Sequence, residues 1–372
     1  MAPSPGQPVV MRKSSSDGSV ATDALVRDPM MLAMAASRPR RSAFDHRRSS
    51  HPRRARYHRR SPACRATMAF DAFALILAML ALGLLFARLR AFPANAAEVL
   101  NRVVLYVCLP AAMLIHVPRL RFDVSLLGLA ATPWLLALAT IASVALLSRW
   151  LRLRRDETAV LLLCVALCNS SFIGYPMVGA LLGQHAVQYA VVYDQFGTAI
   201  LLSTFGLYVI ARYSGDSTPR ASEVLRRILR FPPLWALLFA LTLMPEQPPR
   251  WVGSALQNLA GAMLPLVMLA DGLSIQLKMP RDQIRPLLAG LTLKLLVMPL
   301  LAWPLSLLFG MQGPMLQANV LESAMPGMIT AAALAISHNL APRLAAALVG
   351  YGILCALVTL PAWAWLLGRL AG

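Results

Sequence analysis

Four charged side chains stand inside otherwise apolar stretches: Asp194, Asp271, Lys294 and Glu322. An ionised group at bilayer depth costs about 2.5–3.5 kcal/mol on insertion scales and is retained where it faces a cavity or a partner. Lys294 lies ten residues into its stretch, about 15 Å along a helix at ~1.5 Å per residue. It could neutralise a bound carboxylate, carry the coupling charge, or pair with Glu322. Glu322 lies four residues before Pro326 and could bind a cation or a proton, or lock Lys294. Asp194, between Tyr193 and Gln195, fits a solute pathway and a satisfied helix contact equally well. Asp271 falls near the end of its stretch, an interfacial position.

Polar residues cluster beside two prolines. One stretch reads Asn169-Ser170-Ser171-Phe172-Ile173-Gly174-Tyr175-Pro176, the other Glu322-Ser323-Ala324-Met325-Pro326-Gly327-Met328-Ile329-Thr330. Proline removes a backbone donor and clashes with the preceding turn, so it kinks or breaks a helix. Irregular backbone at membrane depth is tolerated only where protein buries it or where it lines a cavity. A broken helix offers free N–H groups on one half and free C=O groups on the other, ends that attract anions and cations respectively. Two breaks meeting at mid-membrane would hold an anionic solute and a coupling cation together. A packed proline kink is the plainer reading of either break alone. Their matched placement favours the site: Leu-Pro-x-x-Met-Leu occurs at Leu109–Leu114 and again at Leu264–Leu269, with Pro176 and Pro326 following 66 and 61 residues after Pro110 and Pro265. Interrupted helices at matching places in two halves of a chain mark a secondary transporter.

The elements that carry these residues follow from composition. The chain of 372 residues is 58% hydrophobic and 14% charged, with a mean hydropathy of +0.61. That leaves too little charge to cover a soluble protein of this size. Ten apolar stretches have the length of membrane helices, near 70–88, 99–117, 124–147, 158–182, 187–210, 232–245, 252–277, 284–309, 315–338 and 343–367. A helix of about 20 residues spans the ~30 Å hydrocarbon layer. The loops after the odd-numbered stretches carry 16 basic residues, and the other loops with the C-terminus carry four. This bias predicts that both termini lie outside. Five helices per half implies an inverted second half, with repeats over 68–231 and 232–372. His116 and His338 fall near stretch ends, where a hydrated histidine needs no further role.

Residues 1–67 hold 14 of the 35 Lys and Arg residues behind the net charge of +19 and have no apolar periodicity. Such a segment lacks the apolar surface to fold. Three readings fit: a start placed too early, with Met68 as the true start; a disordered cytosolic or nucleic-acid-binding arm; or an organellar targeting segment. The first is preferred, because Met68 directly precedes the first apolar stretch and the positive tail contradicts the loop-charge topology. On that reading no nucleic-acid partner is expected.

The Asn169–Pro176 stretch, with Gly179-Ala180-Leu181-Leu182-Gly183 after it, resembles the auxin efflux carrier family, which includes bacterial malonate/malate-type permeases. Glu322–Pro326, the Lys294–Pro299 stretch and Gly272-Leu273-Ser274 are also similar. The likeness covers about residues 70–368, with Asp271 departing from the small or apolar residue expected there. It implies an all-α polytopic membrane protein of ten helices in a 5+5 inverted repeat, with crossed, broken helices 4 and 9 and elevator-like alternating access. It also implies a homodimer, and the Arg-, Ala-, Leu- and Pro-rich usage of the chain points to a bacterial inner membrane. The function expected is secondary transport of small organic anions, mono- or dicarboxylates. Asn169, Ser170, Ser171, Gly174, Pro176, Lys294, Pro326, Gly327 and Thr330 would form the solute site. Glu322 and Asp194 would couple transport to H+ or Na+, with no cofactor and no metal centre. The alternative is a cation/proton antiporter or channel on a related crossed-helix fold. The catalytic signatures HExxH and GxSxG and a phosphate-binding GxxxxGK[ST] are missing, so an enzyme is not expected.

Overall fold

In a bilayer every backbone polar group must be satisfied within the protein, which leaves helices or closed barrels. The computed structural model is predominantly helical over its described residues, which are 62–120, 123–215, 222, 225, 226, 229, 232–274 and 281–370. One isolated antiparallel bridge, Cys168 with Gly327, is the sole extended pairing among them. Residues 1–61 and the loop residues Arg121, Arg220, Arg227, Arg230 and Lys278 lie outside the described residues.

The first half contains α1 (Pro62–Leu89), α2 (Ala96–Arg119), α3 (Ser125–Leu151), a split helix α4a (Arg155–Ala166) and α4b (170–181), and α5 (Gln184–Ser214). The second contains α6 (Pro232–Thr242), α7 (Arg250–Ser274), α8 (Ile284–Leu308), a split helix α9a (Gly313–Ser323) and α9b (Ile329–Ser337), and α10 (Pro342–Leu370). Six of these, α2, α3, α5, α7, α8 and α10, are long and apolar enough to cross a membrane. The apolar stretch Ala74–Leu89 of α1 and helix α6 are shorter.

The core is largely apolar, as in a water-soluble protein, but the exterior is apolar too and several polar groups are sealed inside. Leu127, Leu138, Leu146, Leu307, Leu308 and Val358 are exposed, whereas Thr132, Asn169, Ser170, Asp194, Gln195, Asn319, Glu322 and Ser323 are buried. Apolar side chains face outward without cost when the surroundings are hydrocarbon. Interior polar groups tie helices together: the Asn319 amide donates to Thr132 Oγ1 at 3.2 Å and to Ser306 Oγ at 2.8 Å, joining α9a to α3 and α8. Helices α1 and α7 meet through glycines, and a Cβ on Gly83 would fall 2.8 Å from the Gly272 Cα. Small residues allow this backbone approach where water provides no drive for association.

Three interior prolines each follow a wide helical turn: Val104–Cys108 before Pro110, Ser170–Gly174 before Pro176, and Leu293–Val297 before Pro299. The carbonyl four residues before each proline lies inside that turn, so the widening makes room for the ring. Pro176 therefore does not break its helix as the sequence reading expected. The break comes earlier, at Leu167–Asn169, where the Asn169 N–H goes to the Pro326 carbonyl rather than to a helical acceptor. In the second split helix the break spans 324–328 and contains Pro326, as expected.

Candidate functional site

The two breaks lie against each other. Helix α4a starts on a capping box in which the Glu157 carboxylate accepts the Arg154 N–H at 3.0 Å, and Asp156 and Glu157 occupy the positive end of the helix dipole. At the other end of α4a the chain leaves helical geometry at Leu167. There the Asn169 N–H donates to the Pro326 carbonyl and the Met328 N–H donates to the Leu167 carbonyl, both at 2.9 Å. These two bonds satisfy backbone groups that the breaks would otherwise strand in a buried setting. Gly327 makes the approach possible, since a Cβ there would stand 2.8 Å from the Cys164 carbonyl oxygen.

Both second halves, α4b and α9b, begin at this junction. The first turn of a helix leaves its N–H groups without intrahelical acceptors, so two positive helix ends converge on one place. A cavity of about 230 Å³ adjoins it. Its polar lining comes from Asn169, Ser171, Gln195, Ser203 and Thr330, its apolar lining from Leu105, Phe172, Phe196, Leu237 and Met328, among others. No charged side chain lines it. The Asn169 amide nitrogen is buried without a hydrogen-bond partner.

Beneath the cavity the Asp194 carboxylate collects four donors. Ser170 and Ser171 hydroxyls donate to Oδ1 at 2.5 and 2.8 Å, and the Tyr175 hydroxyl and Gln195 amide donate to Oδ2 at 3.0 and 2.7 Å. This hub fastens α4b to α5 and orients Ser171 and Gln195, two of the cavity's polar groups.

Glu322 is the opposite case. It is fully buried in the last turn of α9a, and neither carboxylate oxygen has a donor. The negative end of the helix dipole adds to its charge rather than offsetting it. Its carboxyl group lies against Gly174, where a Cβ would stand 2.8 Å from the carboxyl carbon. Lys294 on α8 is buried within electrostatic range of Glu322, yet the two form no ion pair among the described residues. The hydroxyls of Tyr193 and Ser323 meet at 3.2 Å beside Glu322 in the chain.

Two larger cavities open toward opposite ends of α7. One of about 440 Å³ touches Gln257–Leu264 in the first half of that helix and is lined also by His116, Arg119, Tyr175, Pro176 and Gln184. The other, of about 340 Å³, touches Asp271 and Ser274 at the far end, with Ile329, Ile336 and Arg343.

Of the residues singled out from sequence, Asn169, Ser171 and Thr330 share the junction cavity. Pro326 and Gly327 build the junction itself. Ser170 turns to Asp194 and Gly174 backs Glu322. Pro176 faces the 440 Å³ cavity, and Lys294 lines none of these three. Gln195, Ser203, Phe172 and Phe196 were not singled out as site residues; a polar pair at Asp194-Gln195 was the one available signal for Gln195. His116 is largely buried and lines the 440 Å³ cavity rather than the outer surface.

Buried polar groups gathered at two abutting helix breaks, inside a helical body coated with apolar side chains, are the features of a membrane transport protein. The family model described as "Membrane transport protein" matches residues 68–364. An uncharacterized transporter of Methanothermobacter thermautotrophicus is 30% identical over 293 residues, 77% of this chain and 95% of that protein. An uncharacterized transporter of Methanocaldococcus jannaschii is 24% identical over 282 residues, 73% of this chain and 90% of that protein. The chain belongs to this membrane transport protein family, the one its Asn169–Pro176 stretch resembles.

Proposed function

We propose that the protein is a secondary transporter of small organic anions, mono- or dicarboxylates, working by alternating access as ten membrane helices in a 5+5 inverted repeat. The observation that carries this reading is the junction cavity, where the unpartnered Asn169 amide and the first turns of α4b and α9b meet. A carboxylate supplies the acceptors these donors lack, and helix N-termini favour negative charge. Ser171 and Thr330 add hydroxyl donors, and the aromatic walls of Phe172 and Phe196 take the carbon skeleton.

Glu322 is the coupling group. It lies one turn from the second break with both oxygens free, so binding of H+ or Na+ there removes a buried, unpaired charge. Lys294 balances charge between Glu322 and an arriving anion without touching the solute. Asp194, its lone pairs already occupied, holds Ser170, Ser171 and Gln195 in place. Uptake of labelled carboxylates into proteoliposomes tests the reading. Accumulation that depends on an imposed ion gradient and drops in Asn169→Ala is expected. Cation flux with no organic solute taken up would replace it with an ion antiporter or channel.

A further inference from the structure

Asp271 has a role in neither the junction cavity nor the Glu322 site. It is 2% exposed, lines the 340 Å³ cavity, and neither of its carboxylate oxygens has a hydrogen-bond partner. The cavity has a mouth and a floor. Ser274, Ile336 and Arg343 are exposed, whereas Asp271 and Ile353 are buried. Ile329, the first residue of α9b, also lines it, so the cavity leads from the Arg343 end of the molecule toward the helix break. An uncompensated carboxylate in such a place is far more costly than one that has taken up a positive charge.

The positive charge has three sources, and the lining distinguishes them. A protein cation is one, but Arg343 forms no ion pair with Asp271 among the described residues. A hard metal cation is the second, and it takes about six or more oxygens. Only the Asp271 carboxylate and the Ser274 hydroxyl supply side-chain oxygens here. A proton is the third and needs no further ligand.

The charged and titratable side chains on the elements around Asp271 are few. Helix α1 has none from Ala74 to Ala87 and carries Arg88 in its last turn, and α4b carries Tyr175. Helix α2 carries Glu98 and Arg102, which are exposed and paired with each other, then Tyr106, Cys108 and His116. Arg250 starts α7, His338 follows α9b, and α10 carries Arg343, Tyr351, Cys355 and Arg369. Of all these, Arg343 alone lines this cavity.

The sequence repeat gives Asp271 a counterpart. Asp271 follows Pro265 by six residues in the second Leu-Pro-x-x-Met-Leu segment, and His116 follows Pro110 by six in the first. His116 is also buried, and it lines the 440 Å³ cavity, which opens toward the other end of α7. Matching positions thus carry a proton-exchanging side chain in each of two oppositely directed cavities.

We propose that Asp271 is a proton-binding site serving the cavity on the Arg343 side, with His116 as its counterpart on the other. The carboxylate takes a proton from water in the cavity and returns it there. The transport reading gives this exchange its purpose, but the site can be tested without any solute. The full chain in lipid vesicles is treated with a water-soluble carbodiimide, which couples to protonated carboxyl groups, and the peptide containing Asp271 is weighed by mass spectrometry. Labelling at Asp271 should fall about tenfold as the pH is raised across its titration. It should be missing from Asp271→Asn and slowed in Ile336→Trp, which narrows the mouth. Labelling that ignores pH overturns the proposal, as does no labelling of Asp271 while exposed Glu98 reacts. If the labelling holds but no carboxylate is ever transported, the proton site stands and the junction reading falls.

Discussion

Glu322 and Asp194 show how two buried carboxylates in one region come to different duties. Asp194 accepts four hydrogen bonds, and Glu322 accepts none. Replacing Asp194 with Ala strands the Ser170, Ser171 and Tyr175 hydroxyls, so a loss of about 2–4 kcal/mol is expected in detergent melting of the purified protein. Glu322→Gln, which removes only a buried unpaired charge, should leave the melting temperature unchanged or raise it, and should abolish the response of uptake to an ion gradient. Gly174→Ala forces a methyl group onto the Glu322 carboxyl. It should cost about 1–3 kcal/mol by overpacking, and the double variant with Glu322→Ala should recover most of that. Additive losses in that double-mutant cycle would separate the two residues. Much at this scale is legible in the sequence, because Asn169, Ser171, Asp194, Lys294 and Glu322 are polar where their neighbours are apolar. Their pairing is not legible. Nothing in residue order says that Asp194 would take up the serine hydroxyls while Lys294 and Glu322 stay apart.

At the scale of helices, both breaks are held by reciprocal backbone hydrogen bonds between α4 and α9, and Gly327 permits the contact. Gly327→Val should abolish uptake while the protein still inserts into membranes, as read by its recovery from the membrane fraction. Wild-type uptake by this variant would detach the junction from transport. Gly83→Leu or Gly272→Leu should separate α1 from α7 and lower stability by about 1–3 kcal/mol, measured as a fall in Tm. The proline positions were readable, yet proline alone did not locate the first break. A wide turn absorbs Pro176, and the chain opens at Leu167–Asn169, where the backbone pairs with Pro326 and Met328 of the opposing segment instead of continuing the helix. Local propensity tells that a helix is weak, and the opposing segment at Pro326 decides where it parts.

For the whole molecule, composition pointed to a membrane protein, and the described residues expose large apolar side chains while a minority of polar groups is buried within an apolar core. The cavities were not readable, because each draws its walls from helices far apart in the chain. The 340 Å³ cavity reaches the second break through Ile329, the 440 Å³ cavity reaches α4b at Tyr175 and Pro176, and the junction cavity lies at the breaks themselves. The most direct measurement is uptake of radiolabelled mono- and dicarboxylates by proteoliposomes containing residues 68–372, under imposed pH or Na+ gradients. The account predicts gradient-driven accumulation of at least one acid, reduced about 10- to 100-fold in Asn169→Ala, the loss of one to two net hydrogen bonds to a charged group, and lost in Lys294→Ala. Gradient-independent leakage, or accumulation unchanged in Asn169→Ala and Lys294→Ala, would contradict it.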